Sequence, residues 1–189
     1  MFNYAAYEKA VEALAQYPYA NAGNLGSILY PTLGLTGEVS EVLEKIADLH
    51  KGQGEQQEIV KELGDVLWYI TRCAAELSVD LKTLTFQLSV AALQQKTNPL
   101  ATTIFLSVAA GRVAEHVKKA LRDDEGDLHS RLTESRRAAI LEALRETFLH
   151  LICTSLALDS SLEEVAVANI AKLTSRKERN LINGEGDNR

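Results

Sequence analysis

Four acidic side chains in the first half of the chain have the types and the spacing of a metal site. They form two short patterns, Glu38-x-x-Glu41 and Glu62-x-x-Asp65, which are separated by the glycine-containing stretch 50–54. Acids three residues apart lie on one flank of a helix, because each residue turns the helix by about 100°. Four carboxylates on one patch repel one another unless a cation lies between them. Hard divalent ions such as Mg²⁺ or Mn²⁺ take oxygen ligands of this kind.

Apolar residues recur at helical spacing on both sides of that stretch and predict two amphipathic helices. One apolar stripe includes Val39, Val42 and Ile46, and the other includes Leu63 and Ile70. A turn this short requires the two helices to run antiparallel. That arrangement brings both acidic flanks to the same side of the pair at matching levels. A solvated acidic face without an ion is the alternative that the spacing alone leaves open.

The two acidic patterns and their neighbours resemble the MazG-like family of all-α nucleoside triphosphate pyrophosphohydrolases. The similar stretches are GLTGEVSEV at 34–42 and KELGDVLWYI at 61–70. The resemblance implies an all-α helical bundle. It also implies that Mg²⁺, or alternatively Mn²⁺, is bound through four carboxylates, those of Glu38, Glu41, Glu62 and Asp65.

The resemblance further implies an enzyme that hydrolyses a nucleoside triphosphate, with ribose or deoxyribose, to the monophosphate and pyrophosphate. Among the glutamates, Glu41 is the candidate for orienting or deprotonating the attacking water. Two alternatives are open: a dUTP diphosphatase-like enzyme of the same superfamily, and a non-catalytic helical module for nucleotide binding or assembly. Base and sugar preference depend on pocket shape, which the sequence does not give.

The composition of the 189 residues favours a cytoplasmic, all-helical protein. Hydrophobic residues make up 46% of the chain and there are 3 prolines, which suits helices around a sizeable core. A net charge of −6 at pH 7 argues against a nucleic-acid partner held by a basic surface. No apolar run approaches the roughly 20 residues of a membrane span, and the N-terminus lacks a basic segment followed by an apolar one. We therefore expect neither nucleic acid nor membrane as a partner.

The chain aligns with itself, which predicts two fused and diverged copies, 1–96 and 100–189, packed as one unit. The stretch 77–84 aligns without gaps to 158–165, a shift of 81 residues (158 − 77). We therefore expect an internally duplicated pseudo-dimer that is either self-sufficient or paired as a homodimer.

The second copy has lost half of the acidic pattern. It keeps Glu115 and Glu146, but Arg112 and Ala143 occupy the other two acidic positions. A guanidinium and a methyl group cannot take the place of two carboxylate ligands. The sequence therefore predicts a defective metal site in copy two.

The end of copy two carries a basic pattern that copy one lacks. The stretch 169–176 reads N-x-x-K-L-x-x-R, and 184–189 reads G-x-G-D-x-R. Both resemble the C-terminal segment of single-domain MazG-like proteins, which implies that these residues meet the phosphates of the substrate. The substrate-binding candidates are Lys172, Arg176, Arg179, Asp187 and Arg189. One composite site with acids from copy one and cations from copy two is the expectation, and a solvated basic helix end is the alternative.

Overall fold

The computed structural model describes residues 2–85, 98–123 and 126–179. All regular secondary structure within these ranges is helical, which confirms the predicted all-α fold. None of the described helices combines the length and the apolarity needed to cross a membrane. The helices in chain order are α1 (Tyr4–Glu12), α2 (Leu25–His50), α3 (Gln56–Glu76), α4 (Leu81–Leu84), α5 (Pro99–Asp123), α6 (Glu134–Ala157) and α7 (Leu162–Glu178).

Four long helices form two hairpins that share one core. Helix α2 pairs with α3 and α5 pairs with α6, while α2 also packs on α5, and α3 packs on both α6 and α7. Buried apolar side chains from both hairpins belong to the same cluster, among them Val39, Leu63, Val113 and Leu144. Complete burial of such a side chain contributes roughly 1.5–3 kcal/mol. The core therefore holds the acid-bearing hairpin against the second one.

The first turn of α2 is capped both locally and by the other hairpin. Asn24 and Ser27 form a reciprocal capping box, which satisfies two of the backbone N–H groups that a helix start leaves without partners. The N–H groups of Leu25 and Gly26 donate to the carbonyls of Ser130 and Leu128, at 2.9 and 2.8 Å. The loop of the second hairpin thus fixes the start of the helix that carries Glu38 and Glu41.

Helix α1 is shorter than the sequence suggests. Its amphipathic pattern predicts a helix over 3–17, but the helix ends at Glu12. The Tyr17 hydroxyl donates to the Glu76 carboxylate at 2.6 Å, and Arg72 donates to both the Tyr17 hydroxyl and Glu76, at 2.9 and 2.8 Å. These buried contacts draw the chain onto α3, so tertiary bonding overrides helix propensity there.

The ends of α3 and α6 have the same backbone geometry at a shift of 81 residues. The residue two positions after each helix, Ser78 and Asp159, has a positive φ, 56° and 50°, a conformation uncommon outside glycine. The N-caps of the following helices, Asp80 and Ser161, are related by the same shift. This agreement supports the proposed duplication.

A reciprocal contact joins the two halves. The Arg137 guanidinium donates to the Leu77 carbonyl at 3.0 and 2.6 Å, and the Gln56 side chain donates to the Leu158 carbonyl. The two donors, Gln56 and Arg137, are 81 residues apart (137 − 56), and so are the two acceptors, Leu77 and Leu158 (158 − 77). Reciprocity of this kind characterises an interface with two-fold symmetry, so it supports a pseudo-dimer within one chain.

Candidate active site

Three glutamates from the two helices of the first hairpin meet at one point. Glu38 and Glu41 extend from α2 and Glu62 extends from α3, and one carboxylate oxygen of each lies within 4.8 Å of the others. Oxygens that share one Mg²⁺ or Ca²⁺ ion at 2.0–2.6 Å lie at most about 5 Å apart. The donor set, its spacing and its charge therefore fit a hard divalent cation.

The protonation of Glu38 reflects the crowding of these acids. Burial raises the pKa of Glu38 to about 8, and the charges of Asp65, Glu41 and Glu62 act in the same direction, whereas Lys172 opposes them. Repulsion among carboxylates and loss of hydration both disfavour the ionised form. A divalent cation at this point would reverse that preference.

The fourth predicted acid, Asp65, is oriented towards α7. One of its oxygens accepts a hydrogen bond from the Asn169 amide at 2.8 Å, and the other contacts the Lys172 ammonium at 2.5 Å. The structure thus gathers three of the four predicted acids at one point, while the fourth contacts α7. Asp65 still raises the pKa of Glu38, so the two carboxylates lie close enough to interact.

Lys45 is a site residue that the sequence analysis missed. Its ammonium lies 2.6 Å from one oxygen of Glu62, while Lys172 lies 3.9 Å from the other. Only 1% of the Glu62 side chain is exposed, and a buried carboxylate requires a partner of opposite charge. Lys45 follows Glu41 by four residues, and this helical spacing was the available signal.

A cleft of about 160 Å³ opens beside the acids. Trp68 and Tyr69 meet edge to face with ring centroids 4.9 Å apart, and Tyr17 stacks on Tyr30 at the same separation. Stacking of a nucleic-acid base on an aromatic side chain contributes roughly 1–3 kcal/mol. The aromatic and charged residues that line the cleft are Tyr17, Tyr30, Trp68, Tyr69, Glu38, Asp65 and Arg176.

The position of Tyr69 depends on a glycine in α2. A Cβ atom on Gly34 would lie 2.1 Å from the Tyr69 ring. This distance is too short for any side chain at position 34. Gly34 therefore lets the ring lie directly against the backbone of α2. Tyr69 belongs to the stretch 61–70 that carries the family resemblance, whereas the sequence did not assign Tyr17 of the α1–α2 loop or Tyr30 of α2 to the site.

The predicted substrate-binding residues differ in their placement. Lys172 contacts Asp65, and Arg176 is 7% exposed and lines the cleft. Arg179 is exposed at the end of α7, where its Nε donates to the Ser175 carbonyl of its own helix at 3.3 Å. Asp187 and Arg189 lie outside the described residues.

A second and larger cavity lies near the C-terminal end of α3. Its volume is about 590 Å³, and Arg72, Glu76 and Arg137 are among its lining residues. None of the four predicted acids lines it. The smaller cleft, which adjoins Glu38 and Asp65, is therefore the candidate substrate site.

Comparison with known proteins agrees with this geometry. Residues 29–99 match the MazG nucleotide pyrophosphohydrolase domain, a range that includes all four acids. Gene 37 protein of Mycobacterium phage L5 is 33% identical over 86 residues, covering 42% of this chain and 75% of the phage protein. No solved structure matches the chain significantly. From the family match and this relative, the chain belongs to the MazG nucleotide pyrophosphohydrolase family.

Proposed function

We propose that this protein hydrolyses a nucleoside triphosphate between the α and β phosphorus atoms, with Mg²⁺ as its cofactor, to give the monophosphate and pyrophosphate. The observation that carries the proposal is the meeting of three glutamate oxygens within 4.8 Å of one another. One of these glutamates, Glu38, also lines the aromatic cleft. Membership of the MazG family supports the reaction class.

The acids have distinct roles in this proposal. Glu38, Glu41 and Glu62 would hold Mg²⁺, and the bound ion would polarise a phosphoryl oxygen and lower the pKa of water. Glu41 is exposed, so its carboxylate is accessible to the attacking water and orients it or accepts its proton. Asp65 is the fourth proposed metal ligand, and Asn169 and Lys172 of α7 contact its two oxygens.

The cleft and α7 accommodate the rest of the substrate. The nucleobase stacks against the rings of Trp68 and Tyr69, and the phosphate chain extends towards the acids. Lys172 and Arg176 neutralise the phosphate charge that the metal leaves, and the guanidinium can contact two oxygens at once. Together the two helices of copy one and the last helix of copy two form one composite site.

Truncation within α7 tests the composite site. A chain truncated after Ala168 lacks Lys172 and Arg176, and we expect it to lose turnover. Because the truncation also removes the buried Asn169 and the partly buried Ile170, full-length Lys172→Met is the second variant, and it should raise KM. Lys177→Met, which changes an exposed lysine of the same helix, is the matched control. Unchanged kcat and KM in both the truncated chain and Lys172→Met would contradict the composite site.

Product analysis tests the reaction itself. The purified protein is incubated with each common NTP and dNTP and with dUTP, in Mg²⁺ or in EDTA, and the products are separated. We expect Mg²⁺-dependent formation of monophosphate and pyrophosphate, and the ranking of substrates gives the base and sugar preference. A marked preference for dUTP would favour the dUTP diphosphatase reading. Diphosphate and phosphate as products, or folded protein without turnover, would contradict the proposal.

A further inference from the structure

A chain of two hydrogen bonds, the first of them buried, runs from α1 to Asp65. The Tyr7 hydroxyl donates to the side-chain oxygen of Asn169 at 3.0 Å, and the Asn169 nitrogen donates to Asp65 at 2.8 Å. Tyr7 is 4% exposed and Asn169 is completely buried. An ionised carboxylate only accepts hydrogen bonds, so Asp65 requires the nitrogen of the amide, and the amide oxygen is left for the tyrosine hydroxyl. The direction of the chain of bonds is therefore fixed.

Close packing of α3 on α7 brings Asn169 to this position. A Cβ atom on Gly64 would lie 2.8 Å from the Asn169 Cβ and 3.3 Å from the Val165 carbonyl. Only glycine permits the two helices to approach this closely. Asp65, one residue after Gly64, thereby comes within hydrogen-bond distance of a helix 104 residues away in sequence.

We infer that Tyr7 and Asn169 act as a positioning relay that fixes the orientation of the Asp65 carboxylate for metal binding, an inference that rests on the proposed function. Residues that hydrogen-bond to metal ligands set their orientation, and their loss commonly weakens metal binding. Without the Tyr7 hydroxyl, the oxygen of the Asn169 amide loses this donor and the amide is held less firmly. A loosely held amide in turn restrains the Asp65 carboxylate less.

The relay gives α1 a role in a site to which it contributes no acid. Burial and the charge of Asp65 raise the pKa of Tyr7 well above its ordinary value, so the hydroxyl stays protonated and remains a donor. Lys172 contacts the other oxygen of Asp65 at 2.5 Å. The relay therefore contacts one oxygen of the carboxylate and this lysine contacts the other, and the relay links the carboxylate to the N-terminal helix.

Binding of Mn²⁺ to the nucleotide-free protein tests the relay without reference to turnover. The free ion is followed by its electron paramagnetic resonance signal, well below the melting temperature of each variant. We expect Asn169→Leu to weaken Mn²⁺ binding by about 10–100-fold and Tyr7→Phe by about 3–10-fold. Tyr4→Phe, which removes a hydroxyl from the same helix, should bind Mn²⁺ as the wild type does.

A double-mutant cycle separates a relay from two independent contributions. Tyr7→Phe should have no further effect in the Asn169→Leu background, because the hydroxyl acts through the amide. Additive losses would overturn the relay. If Asn169→Leu does not fold, Tyr7→Phe against Tyr4→Phe decides the question.

A further control distinguishes failure of the relay from failure of the proposed function. If Glu62→Gln abolishes Mn²⁺ binding but neither Tyr7→Phe nor Asn169→Leu weakens it, the relay alone is overturned. Absence of Mn²⁺ binding in the wild type, or binding unaffected by Glu62→Gln, would overturn both the proposed metal site and the relay.

Discussion

The two helical hairpins of this protein share one architecture but balance their charges in opposite ways. In α2–α3 three glutamates converge, whereas in α5–α6 Arg112, which the proposed duplication aligns with Glu38, contacts Glu146 at 2.5 Å. Glu115 pairs with Lys118 and Lys119 on its own helix. In the second hairpin these acids therefore pair with side-chain cations, whereas the first hairpin also gathers three glutamate oxygens whose spacing fits a divalent ion.

The two hairpins also differ in how deeply their acidic side chains are buried. The Glu62 side chain is 1% exposed, and its counterpart in the second hairpin is the small apolar Ala143. The side chains of Arg112 and Glu146 are 57% and 40% exposed, so their pair contributes at most about 1 kcal/mol. A buried carboxylate keeps a strong requirement for a cation. At the aligned positions, the second hairpin has an exposed ion pair.

The largest difference that we expect between the two hairpins is in how strongly a substitution lowers turnover. Glu41→Gln keeps the size of the side chain but removes the charge and the basic oxygen, and we expect turnover to fall by roughly 10²–10⁴-fold. Glu115→Gln is the matched control, because Glu115 is the counterpart of Glu41 (115 − 41 = 74). Steady-state assays of both variants with circular dichroism spectra give the result. Equal loss in both variants would contradict the assignment of the site to the first hairpin.

A stability difference is expected at the lysines of the two hairpins. Lys45→Met leaves the buried Glu62 without its nearest cation, which should cost roughly 1–3 kcal/mol in metal-free protein. Lys119→Met changes the counterpart lysine (119 − 45 = 74), whose partner Glu115 is 43% exposed, and should have little effect. Urea unfolding in EDTA measures both changes.

Addition of Mg²⁺ gives a second test of the role of Lys45. Saturating Mg²⁺ should restore most of the stability of Lys45→Met, because the ion supplies the missing positive charge and ligand binding stabilises the folded state. Equal destabilisation by Lys45→Met and Lys119→Met would show that burial of Glu62 does not distinguish the hairpins.

The pH dependence of stability should differ between wild type and Glu38→Gln. The pKa of Glu38 is raised to about 8 in the folded metal-free protein, above its ordinary value. Its stabilising contribution is therefore complete below about pH 4.5 and is lost as pH rises to about 8. Between pH 6 and pH 8 in EDTA, the wild type should lose stability relative to Glu38→Gln. If the melting temperatures of the wild type and Glu38→Gln change equally with pH across this range, the raised pKa of Glu38 is contradicted.

The smallest expected effect is at the surface pair of the second hairpin. Arg112→Ala removes the partner of Glu146. The free energy of unfolding, measured by thermal melting, should change by less than about 1 kcal/mol. Activity should be unchanged, since this pair lies outside the candidate site. A large loss of activity would show that the second hairpin takes part in the reaction through more than α7.

Local patterns in the sequence predicted the helices and the acids of this site. The apolar stripes around Val39 and Leu63 fixed the faces of α2 and α3, because helical periodicity is a property of neighbouring residues. The same periodicity placed Glu38 and Glu41 on one flank. These features depend on contacts within one hairpin, which is why the sequence was sufficient for them.

Contacts between distant segments were beyond reach of the sequence. Tyr17 reaches the cleft because Arg72 and Glu76 bind the loop that carries it, and no periodicity encodes that contact. Asn169 belonged to a recognised pattern, but its bond to Asp65 spans 104 residues. Such partners depend on how the two halves pack together.

Complementation is the most direct test of the central claim, one composite site within one chain. Glu62→Gln damages the acidic part and Lys172→Met damages the cationic part, so each variant should be impaired alone. The account predicts that co-expression of the two variants recovers no activity, because every chain then contains a damaged site. Recovery to about a quarter of wild-type activity, as expected when a site is shared between the subunits of a mixed dimer, would contradict it.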